Sequence, residues 1–366
     1  MRRSFVENTW YAAAWEHEVA AADNKLARTI CEVPLVFYKT TQDQYVALDN
    51  RCCHRGAPLS LGRVEGDCIR CMYHGLLYNP EGQVIQIPGQ EHISRNMKVR
   101  SYTVAAKGGM LWIWMGDPAL ADPADIYDFP PLSDPDHWRG FKQGAYLHYQ
   151  ANWMLIVDNL ADFSHVAFVH TNTLGGSEDY AYNTAAENVE RLADGFSMER
   201  WDRNSNCPPF HAKVIPESEL ATKVDRRNMI QMHLPGIFLM QTRFTPAGWN
   251  DTDGDPALVR EYRNCQFMTP ETKSTTHFFW DYLHNWEMDN PAISPSLEAS
   301  LLEGFLEDKV FIEAQQQLLE QSEGFEPRVI GADAAFMHFR NCWQQRLAEE
   351  DERYPLAESV VKRPVI

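Results

Sequence analysis

Between residues 52 and 75 the chain reads CCHRGAPLSLGRVEGDCIRCMYHG, which gathers four of its eight cysteines and two of its thirteen histidines into one short span. Taken as ligands, these residues form two matched pairs on two loops, Cys52-x-His54 and Cys71-x-x-His74. Two thiolates and two neutral imidazoles delivered in equivalent pairs can hold a two-iron, two-sulfide centre unequally, thiolates on one iron and imidazoles on the other. Imidazole in place of thiolate raises the reduction potential, so such a centre stores and passes one electron. A structural zinc site built from Cys52 or Cys53 with Cys68-x-x-Cys71 is the competing reading. It leaves His54 and His74 idle, gives Cys68 no counterpart in the first loop, and has no use for Gly56 and Gly75, which follow the histidines. Iron and sulfide are the expected occupants.

An electron store needs an acceptor. The stretch VDNLADFSHVAFVH supplies Asp158, Asn159, Asp162, His165 and His170. Two of these histidines with one carboxylate from elsewhere would make a facial triad that binds ferrous iron and leaves positions open for O2. At about 100° per residue a helix puts Asp162 and His165 on one face but sets His165 and His170 about 140° apart. If both histidines bind one metal, the helix must bulge or end between them. Spacing alone equally allows two unrelated histidines, one buried and one wet. The carboxylate is expected on a long helix, PSLEASLLEGFLEDKVFIEAQQQLLEQSEG (295–324), where Glu303, Glu307, Asp308 and Glu313 compete and the helical period does not choose among them.

These groups need scaffolds. From Asn8 to about Gly116, short β-branched and aromatic runs such as PLVFYKT, QYVALD and LWIW alternate with turn signals such as NPEG and KGG, predicting a compact β domain around the first cluster. The segment GDPALADPADIYDFPPLSDPD, with five prolines, can continue neither a helix nor an interior strand and marks a boundary. Domains are therefore expected at 1–117 and 118–366. The second combines helix-period segments at 152–170 and 295–324 with strand-like stretches between them, an antiparallel sheet flanked by helices in an α+β fold.

Composition narrows the partners. The chain has 33 Lys and Arg against 51 Asp and Glu, a formal charge of −18, which repels nucleic acid and anionic lipid. Its longest apolar runs, such as Met110 to Met115, fall far short of the roughly 20 residues a membrane span needs. Met1-Arg2-Arg3-Ser4 leads straight to Glu7 with no apolar stretch, so no secretory signal is expected and the setting is cytoplasmic. In that setting clustered cysteines point to metal or redox chemistry, and the scattered Cys31, Cys207, Cys265 and Cys342 read as buried small hydrophobes.

From NTWYAAAW to about Gln316, through CHRGAPLSLG, YHGLLYNPEG, IPGQ, LWIWMGDPALADP, VDNLADFSHVAFVH, TPET and LEDKVFIEAQQ, the chain resembles the terminal oxygenase subunits of Rieske non-haem iron oxygenases. It is most similar to the branch of the vanillate and dicamba O-demethylase oxygenases. The resemblance implies an N-terminal all-β Rieske [2Fe–2S] domain and a C-terminal helix-grip-like catalytic domain. It makes Cys52, His54, Cys71 and His74 the cluster ligands and His165, His170 and Asp308 the mononuclear Fe(II) ligands. It gives Asp162 the role of bridging a cluster histidine to an iron-binding histidine across a subunit contact, places Asn159 near the iron, and implies a head-to-tail trimer. Cys53 and Met72 stand where the family usually has proline.

The implied activity is that of a monooxygenase. A separate NAD(P)H-dependent reductase or ferredoxin reduces the cluster, and one atom of O2 enters a small aromatic compound by O- or N-demethylation or by hydroxylation. The chain has no nicotinamide or flavin fingerprint and no plant-type ferredoxin run, so the reductase is another protein. A cis-dihydroxylating ring dioxygenase uses the same metals and is the alternative; a non-catalytic electron-transfer or zinc-binding protein is the remote one. Strands near Met232 to Thr242, Asn264 to Met268 and His277 to Leu283 are expected to line the pocket. Gln266 lies near where the dicamba-type enzymes place a histidine that contacts the substrate carboxylate. A neutral amide there points to a substrate that need not be an acid, and a Gln266 facing solvent or a strand neighbour is the plain alternative.

Overall fold

In this computed structural model the strand Met110–Trp114 is buried along its whole length, because it pairs on both edges and is covered on both faces. Trp10–Trp15 lies on one edge and Ser101–Lys107 on the other; Tyr45–Asp49, Val33–Lys39 and Lys25–Ile30 complete an antiparallel six-stranded sheet. A smaller sheet of Arg63–Glu65, Cys68–Arg70, Leu77–Tyr78 and Val84–Gln86 carries the two Cys/His loops. The structure describes residues 3–175, 178, 182, 188–217, 223–322 and 324–354; Met1, Arg2 and the last twelve positions of the chain lie outside them.

The second sheet has seven antiparallel strands in the order Ala145–Tyr149, Thr276–His284, Arg260–Pro270, Ile237–Pro246, Val224–His233, Gly195–Ser205 and Asn188–Leu192. Every residue of Thr276–His284 is buried, which follows from its two covered faces. Phe278, Trp280 and Tyr282 point into the main core with the helices. Phe279, with Phe267 and Cys265 beside it, packs instead on Trp10, Trp112 and Trp114 of the first sheet. Burying aromatic side chains of this size stabilises by about 2–3 kcal/mol each, so the two sheets are held together by an apolar seam. Hydrogen bonds stitch the same seam: Cys31 N donates to Pro270 O at 2.8 Å and the Thr269 hydroxyl to Ala12 O at 2.7 Å.

The helical face differs from expectation in one useful respect. Residues 152–170 do not form one helix. The helix Trp153–Ala161, capped by the Asn152 side chain, stops at Asp162, whose φ of −131° and ψ of 105° are extended. A 3-10 turn, Phe163–His165, and a single α turn, Val166–Val169, follow. Asp162 and His165 therefore do not share a helical face. The cause is local: the Asp162 carboxylate accepts from Ser164 N at 2.8 Å and Ser164 Oγ at 2.9 Å, so it caps the next turn instead of continuing the last. The expected long helix runs Ile293–Gln321.

A further helix, Ala334–Arg353, is not among the elements expected, although Ala335, Phe339 and Trp343 recur at four-residue spacing and are buried. Near its end, buried Glu350 accepts from Glu7 N at 2.8 Å and Asn8 N at 2.7 Å and clasps the N-terminal strand. No helix among the described residues is long and apolar enough to cross a membrane. Of the four scattered cysteines only Cys265 is buried; Cys31, Cys207 and Cys342 are half-buried, which corrects their reading as core residues.

Candidate metal centres

The two cluster loops are built on one plan. Cys52 N donates to Ala57 O at 2.8 Å and Gly56 N to Cys52 O at 2.9 Å; in the second loop Cys71 N donates to Leu76 O and Gly75 N to Cys71 O, both at 2.9 Å. Each loop closes through a glycine at positive φ, +72° at Gly56 and +77° at Gly75, a conformation that side chains with a Cβ rarely adopt. At Gly75 a Cβ would also stand 2.7 Å from the Pro88 ring. Cys52 and Cys71 are buried, whereas the His54 and His74 rings sit at the surface with centroids 4.5 Å apart. The result is a buried thiol pair and an exposed imidazole pair, the division a two-iron centre requires. A tetrahedral zinc site instead needs its ligands gathered about one point. No three of the cysteines and histidines in this region do so; among the described residues only His165, His170 and Asp308 bring three ligand atoms within 4.8 Å of one another.

Tyr78 is the residue of this centre that the sequence did not reveal. From the strand after the second loop its hydroxyl takes the Cys53 N–H at 3.1 Å and lies 3.0 Å from Cys52 Sγ. Burial, and then Cys52 and Cys53, push its ionisation well above the ordinary range, so it stays a donor to the sulfur. Cys53 is exposed and Cys68 lies on the strand Cys68–Arg70 with its thiol raised by burial.

In the second centre the helical break sets the geometry. His165 closes the 3-10 turn and His170 caps the α turn after it, so each imidazole leaves the chain at the end of a short element. Their rings stand 5.3 Å apart at 70°. Asp308, buried on the long helix, points Oδ1 between them, 3.5 Å from His165 Nε2 and 3.0 Å from His170 Nε2. The remaining ring nitrogens are engaged elsewhere. His165 Nδ1 lies 2.5 Å from the main-chain oxygen of Asp162, and His170 Nδ1 lies 2.7 Å from Glu307 Oε2, which also accepts from Thr173 Oγ1 at 2.7 Å. With both Nδ1 atoms donating, the two Nε2 atoms are lone-pair acceptors aimed at a carboxylate oxygen. His170 Nε2 is buried with no hydrogen bond. Three acceptors facing one point fit a cation, and the imidazole–carboxylate set fits iron.

Electrostatics differ at the two histidines. Burial lowers the His165 pKa, with Asp308 only partly offsetting it; at His170 burial is outweighed by Asp308 and Glu307, and the pKa is raised. The four carboxylates that competed for the third position separate cleanly. Glu303 is exposed and 3.8 Å from Lys213, Glu313 accepts from Gln150 N at 2.7 Å and pairs with Lys309, Glu307 stands behind His170, and Asp308 alone faces both histidines. Asn159 Nδ2 donates to Asp308 Oδ1 at 2.9 Å. Glu307 and Thr173 were not anticipated as partners of His170; a carboxylate next to Asp308 was the only trace of this support in the sequence.

Residues 9–103 match the Rieske [2Fe-2S] domain, and residues 149–349 match the vanillate O-demethylase oxygenase C-terminal domain. The chain belongs to the Rieske non-haem iron oxygenases. The iron-sulfur subunit of the toluene-4-sulfonate monooxygenase system of Comamonas testosteroni is 39% identical over 349 residues, 95% of this chain and 98% of that one. The oxygenase component of dicamba O-demethylase from Stenotrophomonas maltophilia is 31% identical, over 91% of this chain and 95% of that one. A crystal structure of dicamba monooxygenase bound to dicamba superposes with a TM-score of 0.83 at 28% identity, covering 95% of this chain and 99% of that one. The protein is thus the oxygenase component of a multicomponent monooxygenase, with a Rieske [2Fe–2S] cluster and a non-haem iron.

His165, His170 and Asp308 open into a cavity walled by Phe163, Phe210, Phe238, Met240, Leu301 and Phe305, a lining that excludes water. Asn264, Gln266 and Tyr282 add polar groups from two of the three expected strands, and Met240 comes from the other. His277, expected in the same wall, is on the opposite face of the sheet, with Nε2 2.9 Å from Thr29 O. Side chains alternate along a strand, so His277 cannot share a face with Tyr282. Gln266 is buried in the cavity wall with Oε1 unpartnered, which sets aside a solvent-facing role.

Proposed function

We propose that Cys52 and Cys71, with His54 and His74, hold the cluster, and that His165, His170 and Asp308 hold a ferrous iron at which a small aromatic compound is O- or N-demethylated or hydroxylated. The observation that carries this reading is the meeting of two imidazole Nε2 lone pairs and one carboxylate oxygen in an apolar cavity with both Nδ1 atoms already engaged. When bound, the iron supplies O2 activation and the cluster supplies the stored electron. The chain's own groups do the positioning. The Asp162 carbonyl and the Glu307 carboxylate fix the two imidazoles, Asn159 holds Asp308, and the phenylalanine walls keep water from the reacting carbon.

In this reading residues 1–117 store the electron and residues 118–366 carry out the oxygenation. A separate NAD(P)H-dependent reductase or ferredoxin is the donor, and the cytoplasm, where NAD(P)H is at hand, is the setting. The working assembly is a head-to-tail trimer in which Asp162 joins a cluster histidine of a neighbouring subunit to His165. The exposure of His54 and His74 and the half-exposure of Asp162 support this arrangement.

Anaerobic metal and acid-labile sulfide analysis, followed by a substrate screen for reductase-dependent NADH oxidation and oxygen uptake, tests the reading. It expects one sulfide per cluster iron, one further iron per chain, and release of formaldehyde or a hydroxylated product. Zinc without sulfide overturns it, and a cis-diol product moves the chemistry to dihydroxylation.

A further inference from the structure

Arg226 stands in the oxygenase cavity with no part in holding the iron. It lies on the strand Val224–His233, is only 7% exposed, and lines the same cavity as His165, His170 and Asp308. Its hydrogen bonds are few and long: Nε to Asn228 Oδ1 at 3.4 Å and Nη1 to the Leu174 carbonyl at 3.3 Å. A guanidinium carries five N–H donors. Nη2 has no hydrogen-bond partner among the described residues, and none of their carboxylates forms an ion pair with Arg226.

The neighbouring charges do not supply the missing anion. Asp202 is the Cα partner of Arg226 across the ladder, but its ion pair is with Arg200, Nε to Oδ1 at 3.8 Å. His211 lies near enough to feel the cation: burial first, then Arg226 and Arg260, hold its pKa down to about 3. The Phe210 and Phe244 rings lie 5.8 and 5.5 Å from the guanidinium carbon, so the cation is shielded from bulk water. A shielded guanidinium with unused N–H groups opening on an aromatic-walled cavity matches a carboxylate or sulfonate oxygen pair.

We propose that Arg226 is the anion anchor of the substrate cavity and that the substrate is an aromatic acid. Its carboxylate or sulfonate lies on Arg226 and its reacting end faces His165, His170 and Asp308. This rests on the oxygenase reading above and deepens it. It also revises what Gln266 alone implies: the amide is a neutral hydrogen-bonding group in the wall, and recognition of charge falls to Arg226 on a neighbouring part of the sheet.

The test is calorimetric titration of the anaerobic holoenzyme with toluene-4-sulfonate, 4-methylbenzoate and the neutral 4-methylbenzenesulfonamide, on wild type, R226K and R226M. Wild type is expected to bind at least one anion more tightly than the sulfonamide. R226M loses that anion's binding on the order of 100-fold while sulfonamide binding changes little, and R226K retains part of it. In turnover the loss appears in KM more than in kcat. Failure of both anions to bind wild type, sulfonamide binding as tight as theirs, or equal weakening of all three probes in both variants overturns the proposal. The last of these outcomes makes Arg226 a clasp for the Leu174 loop. Oxygen uptake is scored separately: anion binding that depends on Arg226 in a metal-loaded protein with no reductase-dependent uptake leaves the anchor standing and removes the oxygenase reading.

Discussion

The two Cys/His loops draw all four of their proposed ligands from one short span, whereas the proposed iron pocket combines a broken helix with a carboxylate from a helix far along the chain. In the loops the backbone does the work, through paired amide bonds and two positive-φ glycines. In the pocket side chains do it, through the Glu307, Thr173 and Asn159 contacts. The loops also leave His54 and His74 at the surface, while His165, His170 and Asp308 face an apolar cavity. Electron delivery needs an accessible edge, and oxygen chemistry needs the reverse. The two centres are therefore expected to fail independently.

That independence can be attacked directly. The largest effect belongs to D308A, which removes the carboxylate between the two imidazoles. Mononuclear iron content and oxygenation should fall more than about 100-fold, with the visible cluster spectrum unchanged. A bleached spectrum in D308A would show that the centres are coupled. Brief treatment of the protein with a ferrous chelator should divide the metals in the same way, because on the proposed ligand sets a single iron would be held by three side chains alone, whereas the cluster would be held by its sulfides as well. Next comes E307Q, which weakens the hold on His170 Nδ1. Iron affinity should drop about 10- to 100-fold, read as a requirement for added Fe(II), and the cluster should be untouched. The smallest effect is that of Y78F. Loss of one hydrogen bond to Cys52, worth about 1 kcal/mol, should lower the cluster potential by about 40 mV in a redox titration without altering iron content.

The same contrast explains what could be read in the sequence. The cluster pairs were legible because loop ligands lie close together in the chain and their spacing is their geometry. Burial of Cys52 and Cys71 beneath exposed histidines follows that pattern, yet Tyr78 did not show, since a tyrosine on a two-residue strand carries no local mark. In the pocket, helical period correctly warned that His165 and His170 could not share one regular helix. It also set Asp162 and His165 on one helical face, which the structure undoes, because Ser164 makes Asp162 a cap, a side-chain preference that periodicity does not encode. Helical period could not separate Glu307 from Asp308 either. Adjacent residues on one helix differ by about 100° in direction, and only the position of the opposing histidines decides which of them meets the metal. Arg226 went unnoticed because an arginine on an alternating strand looks like a surface residue until the opposite face is known to be covered.

The extended backbone at Asp162 has a consequence for how this protein can change over time. His165 is oriented by the main-chain oxygen of that residue, while the carboxylate is spent on Ser164 and on whatever approaches from outside. A change of side chain at this position therefore reaches the imidazole as well, because the same carboxylate caps the turn that carries His165. On the proposed bridging role, catalytic geometry and electron wiring pass through one residue, so a lineage cannot alter the second without disturbing the first.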